Sequence, residues 1–299
     1  MTASELQHTV PEVRSAKNRR FDKLARRSRY SGILVYIALG ILALVYIYPF
    51  LISIANSFKL DPDAAANPIS LIPQTFSTEA LQRLFEADFP TWFKNSAIVT
   101  VVVTSGRVFF NSLAGYALSR LRFPGRGLVF ALLIAVMSVP SVVLLIPKFL
   151  VINELGMYDT YAGMTIPLLA DAAGIFIMKN FFESIPASVE EAARIDGAGV
   201  FRRFWSVVLP MARPALVTIF ILSFQGSWNE MSHMIISTQS PELFTLTKGV
   251  AQLASGALSA GTQYPIKLAA ATIMTIPVAV LFFIFQKKIM NSSDGAVKE

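Results

Sequence analysis

Apolar residues fall in unbroken blocks separated by short charged or Pro- and Gly-bearing stretches, not at the 3.6- or 2-residue period of a one-sided soluble element. Blocks of about 20 residues match a helix crossing the hydrocarbon of a bilayer. The first is the uncharged stretch from Tyr30 to Ser57, which is too long for a signal peptide and has no small-residue cleavage pattern. The others run from about Asn95 to Leu118, Gly127 to Pro147, Tyr161 to Phe182, Ala215 to Ser237 and Leu268 to Gln286. Lys287 and Lys288 close the last block and can snorkel to headgroups. The pattern predicts an all-α integral membrane protein with six transmembrane helices. Residues 1–29 form a basic N-terminal segment, 30–286 the six-span domain with a loop at 183–213, and 287–299 a C-terminal tail. Between Lys59 and Phe93 lies a long connection with Pro62, Pro68 and Pro73 and an amphipathic stretch STEALQRLFE, expected to lie over the mouth of the helices.

Composition agrees with lipid as the solvent. The chain of 299 residues is 54% hydrophobic and 15% charged, beyond the apolar share of ordinary soluble domains. Its net charge of +7 does not point to nucleic acid, because the basic residues flank apolar blocks and do not interleave with aromatics. Their placement reads as topology. Arg14, Lys17, Arg19, Arg20, Lys23, Arg26, Arg27 and Arg29 precede the first block. Arg120, Arg122, Arg126, Lys179, Arg194, Arg202, Arg203 and Arg213 fall on the same side, against Lys59, Arg83, Lys94, Lys148, Lys248 and Lys267 on the other. Cytoplasmic flanks are enriched in Lys and Arg, so both termini are expected in the cytoplasm. The absence of cysteine excludes disulfides and thiolate metal sites, and His8 and His233 alone build no metal centre.

The loop between the fourth and fifth blocks reads PASVEEAARIDGAGVFRRFWSVVLPMARPAL. Ser188 and Glu191 have capping-box spacing for a short helix, which Gly197 and Gly199 would end with residues tolerant of positive φ. A second short helix is expected up to Leu209, stopped by Pro210, with Pro214 opening the fifth span. Two short helices presenting Phe201, Phe204 and Trp205 among Arg202 and Arg203 suit a groove on another protein. The bland alternative is a solvated loop with its aromatics on the membrane interface.

Glu191-Ala192-Ala193, Asp196-Gly197 and Val207-Val208-Leu209-Pro210 resemble, in residue type and spacing, the EAA loop of permease subunits of bacterial ATP-binding-cassette importers. Asn95-Ser96, Tyr116 to Arg126, Asp159-Thr160, Trp228-Asn229 and Gly295-Ala296-Val297-Lys298 look like the carbohydrate-uptake branch, specifically the six-span partner of the maltose-type permease pair. The resemblance implies that Glu191, Ala192, Ala193, Asp196, Gly197, Phe201, Phe204, Leu209 and Pro210 couple the chain to an ATPase. It further implies a homologous second permease subunit, two ATPase subunits that bind ATP and Mg, an extracytoplasmic solute-binding protein, a carbohydrate substrate and a bacterial inner-membrane location. The tail from Ser292 to Glu299 would then reach between the ATPase subunits. No cofactor is expected in this chain, which has no GxxxxGK[ST] sequence.

Arg107 falls near the middle of the second block and Asp171 near the middle of the fourth, where a lone charge costs roughly 3 kcal/mol. Similar depth makes a buried ion pair the economical reading; the functional one is that Arg107 faces the pathway and binds an acidic sugar or a hydroxyl. Glu230, beside Trp228 and Asn229, is another intramembrane carboxylate, and Trp228 is either a stacking platform for a sugar ring or a packing residue. These five are the candidate pathway residues. The rival class is a stand-alone secondary transporter or channel, which commonly carries an internal repeat that this sequence does not show.

Overall fold

Prolines decide where the apolar blocks stay straight and where they break. The structure, a computed structural model, describes residues 10–254 and 263–294, with side chains over 33–253 and 263–286. The side chains of the basic N-terminal segment, of Lys287 and of Lys288, and residues 295–299 of the tail, therefore lie outside the described residues, as does His8. Among the described residues the regular elements are helices, without strands: α1 Val10–Asn56, α2 Asp61–Ala66, α3 Glu79–Glu86, α4 Phe89–Arg120, α5 Arg126–Met137, α6 Leu145–Glu154, α7 Tyr161–Thr165, α8 Ala172–Ser184, α9 Ala187–Ile195, α10 Val200–Arg203, α11 Leu209–Met211, α12 Arg213–Trp228, α13 Ser232–Ser237, α14 Leu246–Ala254 and α15 Tyr264–Asp294. Among the described residues four stretches, Ile33–Asn56, Phe89–Arg120, Tyr161–Ser184 and Tyr264–Gln286, are long and apolar enough to cross a membrane, and two bent pairs raise the number to six if each is one span.

Three of the expected spans need correction. The third is not one helix over Gly127 to Pro147: α5 ends at Met137, and after Pro140 a 3-10 turn at Ser141–Leu144 leads into α6, with a bend of 105°. Pro140 offers no N–H, and its ring opposes the carbonyl four residues back, so α5 cannot run through it. In the fourth, a 3-10 turn at Ile166–Leu168 holding Pro167 separates α7 from α8, and Asp171 sits at the break as the N-cap of α8. The fifth stops at Trp228 and resumes at Ser232, so that Asn229 and Glu230 lie in a break and not inside a helix.

The second block, by contrast, is one helix of 32 residues, and α4 is the centre of the molecule, packed against α8 and α12. Gly115 makes the first of these contacts possible: a Cβ there would stand 2.7 Å from the Met178 Cβ and 2.9 Å from the Lys179 backbone nitrogen. At one end of α4, Tyr116, Met178, Phe182, Phe204, Val208 and Ile219 form a buried cluster. At the other, Leu84, Phe89, Trp92, Trp228 and Leu246 form a second. The amphipathic stretch before α4 folds as α3 and buries Ala80 and Leu84, as its pattern predicts. Lys59 is wholly buried in the same connection, donating to the carbonyls of Asn67 at 2.8 Å and Ser70 at 2.7 Å. Helix α1 packs on α15 and otherwise presents bare apolar side chains such as Leu34 and Tyr36, an arrangement that suits lipid or another apolar helix and not water.

Candidate functional site: the loop between α8 and α12

The loop at 183–213 begins where α8 is capped. Ile185 and Pro186 are extended, and α9 opens at Ala187 with Pro186 as its N-cap. The expected capping box is absent: Ser188 already lies inside the helix, and no side chain caps the N-terminus. Pro186, at φ −56°, takes the N-cap position without a hydroxyl, and the helix starts at Ala187, before the start that a Ser188 cap would give. The C-terminus does follow the sequence. Gly197, at φ +78°, is followed by a bond from the Ala198 N–H to the Ala193 carbonyl at 2.9 Å, with the Gly197 N–H donating to the Arg194 carbonyl at 3.1 Å. This is a Schellman closure. Gly199 is not in the left-handed region; it is the extended N-cap of α10, at φ −67°.

Downstream, Pro210 does not stop the second helix. Phe204–Val208 widens into a π-turn, α11 carries Pro210 in its first turn, and the chain bends by 81° at Ala212 before α12. A π-turn absorbs the missing N–H and the ring of a proline that would otherwise clash with the preceding turn. Pro214 then sits in the first turn of α12, as expected.

The side chains of the loop sort into two sets. Glu191, Ala192, Asp196 and Pro210 are exposed, with Ile195 at 86% and Phe201 at 76%, while Ala193 is half-buried. Asp196 is at the C-cap of α9, an end the helix dipole does not favour for a carboxylate. The second set faces the bundle. Phe204, expected on the docking surface, is 2% exposed and rings with Tyr116 at 5.1 Å, Phe182 at 6.5 Å and Trp205 at 5.2 Å. Leu209 is half-buried against the same cluster. These two anchor the loop: Phe204 lies four residues before the buried Val208, and Leu209 packs at the edge of the same cluster.

Sequence reading missed the polar half of that anchor. Glu190 is held by Arg120 Nε at 3.5 Å, Arg203 Nε at 3.9 Å and the Tyr116 hydroxyl, which donates at 3.4 Å. Arg120 also donates through Nη2 to the carbonyls of Phe182 and Ile185 at the end of α8. One arginine thus ties the ends of α4 and α8 to the face of α9 turned away from Ile195. The available signal was the i, i+3, i+7 spacing of Ala187, Glu190 and Arg194; in the sequence Arg120 reads only as a topological charge.

The pathway candidates separate in the same way. Arg107 Nε lies 3.4 Å from Asp171 Oδ2 and donates to the Leu168 carbonyl at 2.8 Å, so the expected ion pair is present. Asp171 also accepts from the Gly174 N–H at 2.7 Å and from Asn111 Nδ2 at 3.2 Å, while its own N–H donates to Asn111 Oδ1 at 3.1 Å. Arg107 and Asp171 border a cavity of about 280 Å³ between α4, α8 and α12. Trp228 is a packing residue: it is 3% exposed, stacks on Phe224 at 5.9 Å and donates Nε1–H to the Met274 carbonyl at 3.0 Å, which leaves no face for a sugar ring. Asn229 donates to the Gln225 carbonyl at 2.9 Å, and Glu230 accepts from the His233 N–H at 2.9 Å.

At the far end of α4 the structure gives the pairs Asn95-Ser96 and Asp159-Thr160 a mechanical role. Asn95 donates to the carbonyls of Glu242 and Phe244 and accepts from the Tyr161 hydroxyl at 2.5 Å, while Ser96 accepts from the Leu246 N–H at 2.8 Å. Asp159 receives the N–H groups of Gln239 and Ser240 and the Ser240 hydroxyl, and these bonds hold its carboxyl below the usual range. Among the described residues no group of three or more His, Asp or Glu is placed to hold a metal ion.

Residues 108–291 match the family described as binding-protein-dependent transport system inner membrane component. The arabinooligosaccharides transport system permease protein AraQ of Halalkalibacterium halodurans is 30% identical over 270 residues, covering 89% of this chain and 96% of that protein. The sn-glycerol-3-phosphate transport system permease protein UgpE of Yersinia enterocolitica is 30% identical over 262 residues, covering 85% and 93%. Among solved structures, a chain of a bacterial ABC transporter involved in the import of the acidic polysaccharide alginate superposes with a TM-score of 0.74 at 28% identity, covering 88% of this chain and 97% of that one.

Proposed function

We propose that this chain, which belongs to the family of binding-protein-dependent transport system inner membrane components, forms half of the translocation pathway of an ATP-driven importer for a sugar or oligosaccharide. It is a multi-pass inner-membrane permease and not an enzyme. Permeases of this family work with a second permease, an ATPase and a binding protein. The finer reading is a different homologous permease as the other half, two ATPase subunits that carry ATP and Mg, and an extracytoplasmic solute-binding protein.

The observation that carries the coupling assignment is the division of the 183–213 loop into an exposed and an anchored side. Ile195 and Phe201 are large apolar side chains left bare beside Glu191 and Asp196, a composition that suits insertion into a groove of a partner protein. Glu190, Phe204 and Val208 fasten the same segment to α4 and α8. A push on the exposed side is therefore delivered to the ends of the central helices. Leu209, half-buried against the same cluster, and Pro210, exposed in the first turn of α11, shape the bend into α12.

The six-span, cytoplasmic-termini reading takes each bent pair as one span and places 183–213 with the termini, on the basic side. Cysteines introduced at Thr75 and Ser188, both exposed or at a loop surface, are expected to react from opposite sides of the membrane. Reaction of both with an impermeant reagent from outside would reverse the orientation. For solute contact, the cavity beside Arg107 and Asp171 and the break at Asn229 and Glu230 are the places where this chain meets the pathway; the Arg107 to Asp171 pair itself joins α4 to α8.

Flux through the purified chain tests the assignment against the stand-alone transporter. Vesicles holding this chain alone are expected to take up no sugar, and uptake is expected to appear only when the partner permease, the ATPase, the binding protein and ATP are all supplied. ATP-independent flux through the chain alone would overturn the importer reading.

A further inference from the structure

Next to the exposed face of α9, a cavity of about 610 Å³ opens between α9 and the turn joining α4 to α5, with Ala187, Glu190, Glu191 and Arg194 of α9 in its lining. Its lining carries five guanidinium groups, Arg120, Arg122, Arg126, Arg194 and Arg203, against the two carboxylates of Glu190 and Glu191. The floor is short of negative charge. Glu190 alone serves both Arg120 and Arg203, at 3.5 and 3.9 Å, contacts too long to complete hydrogen bonds for the buried Nε atoms or for Glu190 Oε1. Arg126 meets Glu183 at 3.9 Å and donates to the Leu121 carbonyl at 3.4 Å, and among the described residues Arg122 and Arg194 pair with no carboxylate.

The depth of the cavity narrows what can fill it. Arg126 is the first residue of α5, whose remaining turns are RGLVFALLIAVM with Leu128 66% exposed, and Phe123 beside it is 38% exposed. An apolar helix starts at the cavity's edge, so the arginines stand where hydrocarbon gives way to headgroups. Arginine forks match phosphate oxygens bidentately, and basic pockets between helix ends at that level hold anionic headgroups.

We propose that this cavity binds a phosphate group, supplied by an anionic lipid headgroup, wedged between α9 and the end of α4. A phosphate there offsets the excess of guanidinium groups over carboxylates in the lining and braces the segment that carries Ile195 and Phe201. The site does not depend on which solute the chain transports, and its test does not read transport.

The test is lipid retention by the full chain purified in its native complex, after exchange into mixed phosphatidylglycerol and phosphatidylcholine and then delipidation. The exposed pair Arg122→Gln and Arg194→Gln is compared with wild type. Wild type is expected to keep phosphatidylglycerol in preference to phosphatidylcholine, with retention falling about fivefold for each arginine removed. Added inorganic phosphate separates the sources: failure to displace the lipid supports the headgroup, and displacement supports a site for free phosphate instead of lipid. Equal retention by wild type and the double variant overturns the proposal. So does unchanged lipid retention with loss of the ATPase from the complex, which would make the arginines a contact for acidic groups of that protein.

Discussion

Replacing Arg107 by Met is expected to leave Asp171 as an uncompensated carboxylate and to destabilise the chain by about 3 kcal/mol, the lower part of the range for breaking a buried pair. The lower part applies because the two side chains remain 17% and 30% exposed toward their cavity. Asp171→Leu is expected to cost more than the charge alone, since Asp171 Oδ1 also caps α8 through the Gly174 N–H, a bond worth about 1 kcal/mol. The structure therefore separates two double variants. Arg107→Met with Asp171→Leu removes both charges but also the cap, and recovers only part of the loss. Arg107→Met with Asp171→Asn keeps a side-chain oxygen at the N-cap and is expected to recover the extracted yield almost to wild type. Yield and thermal stability in detergent for these variants form a double-mutant cycle. Additive losses in the Asn double variant would remove the pair from the account. Full recovery of folding without recovery of uptake would show that Arg107 also touches the solute.

How much of this was legible in the sequence depends on the kind of signal. Apolar blocks of bilayer length gave α1, α4 and α15 because hydrocarbon selects for length and composition, with little reference to partners. The same blocks hid the breaks at Pro140, Pro167 and Asn229, since an apolar run reads alike whether its backbone is continuous or bent. That error misplaced two functional candidates: Asp171 and Glu230 looked like charges stranded in mid-helix, and both turn out to accept backbone N–H groups at a break. Around the loop, Gly197 was readable because only a residue tolerant of positive φ closes the helix as seen. Phe204 was misread because exposure is a property of the fold: an aromatic one residue from Arg203 and Trp205 could face either way. Glu190 was invisible for a related reason, as its partners Arg120 and Tyr116 lie some seventy residues away in α4.

The coupling loop carries the second large effect. Glu191 and Phe201 are exposed, and among the described residues neither side chain makes a hydrogen bond or an ion pair, so Glu191→Lys and Phe201→Ala are expected to insert and fold as wild type. If the exposed side of the loop sits in a groove of the ATPase, loss of such an anchor costs about 2 kcal/mol or more, roughly 30-fold in affinity. Gly197→Pro acts differently. Proline cannot adopt φ +78° and lacks the N–H that meets the Arg194 carbonyl, so the turn that sets α10 against α9 is lost. The most direct measurement is ATP-driven uptake by vesicles holding the assembled complex with Glu191→Lys or Phe201→Ala, scored together with the amount of ATPase retained on the membrane. The account predicts normal insertion of both variants with uptake and ATPase retention lost together; normal uptake and retention in both would contradict it.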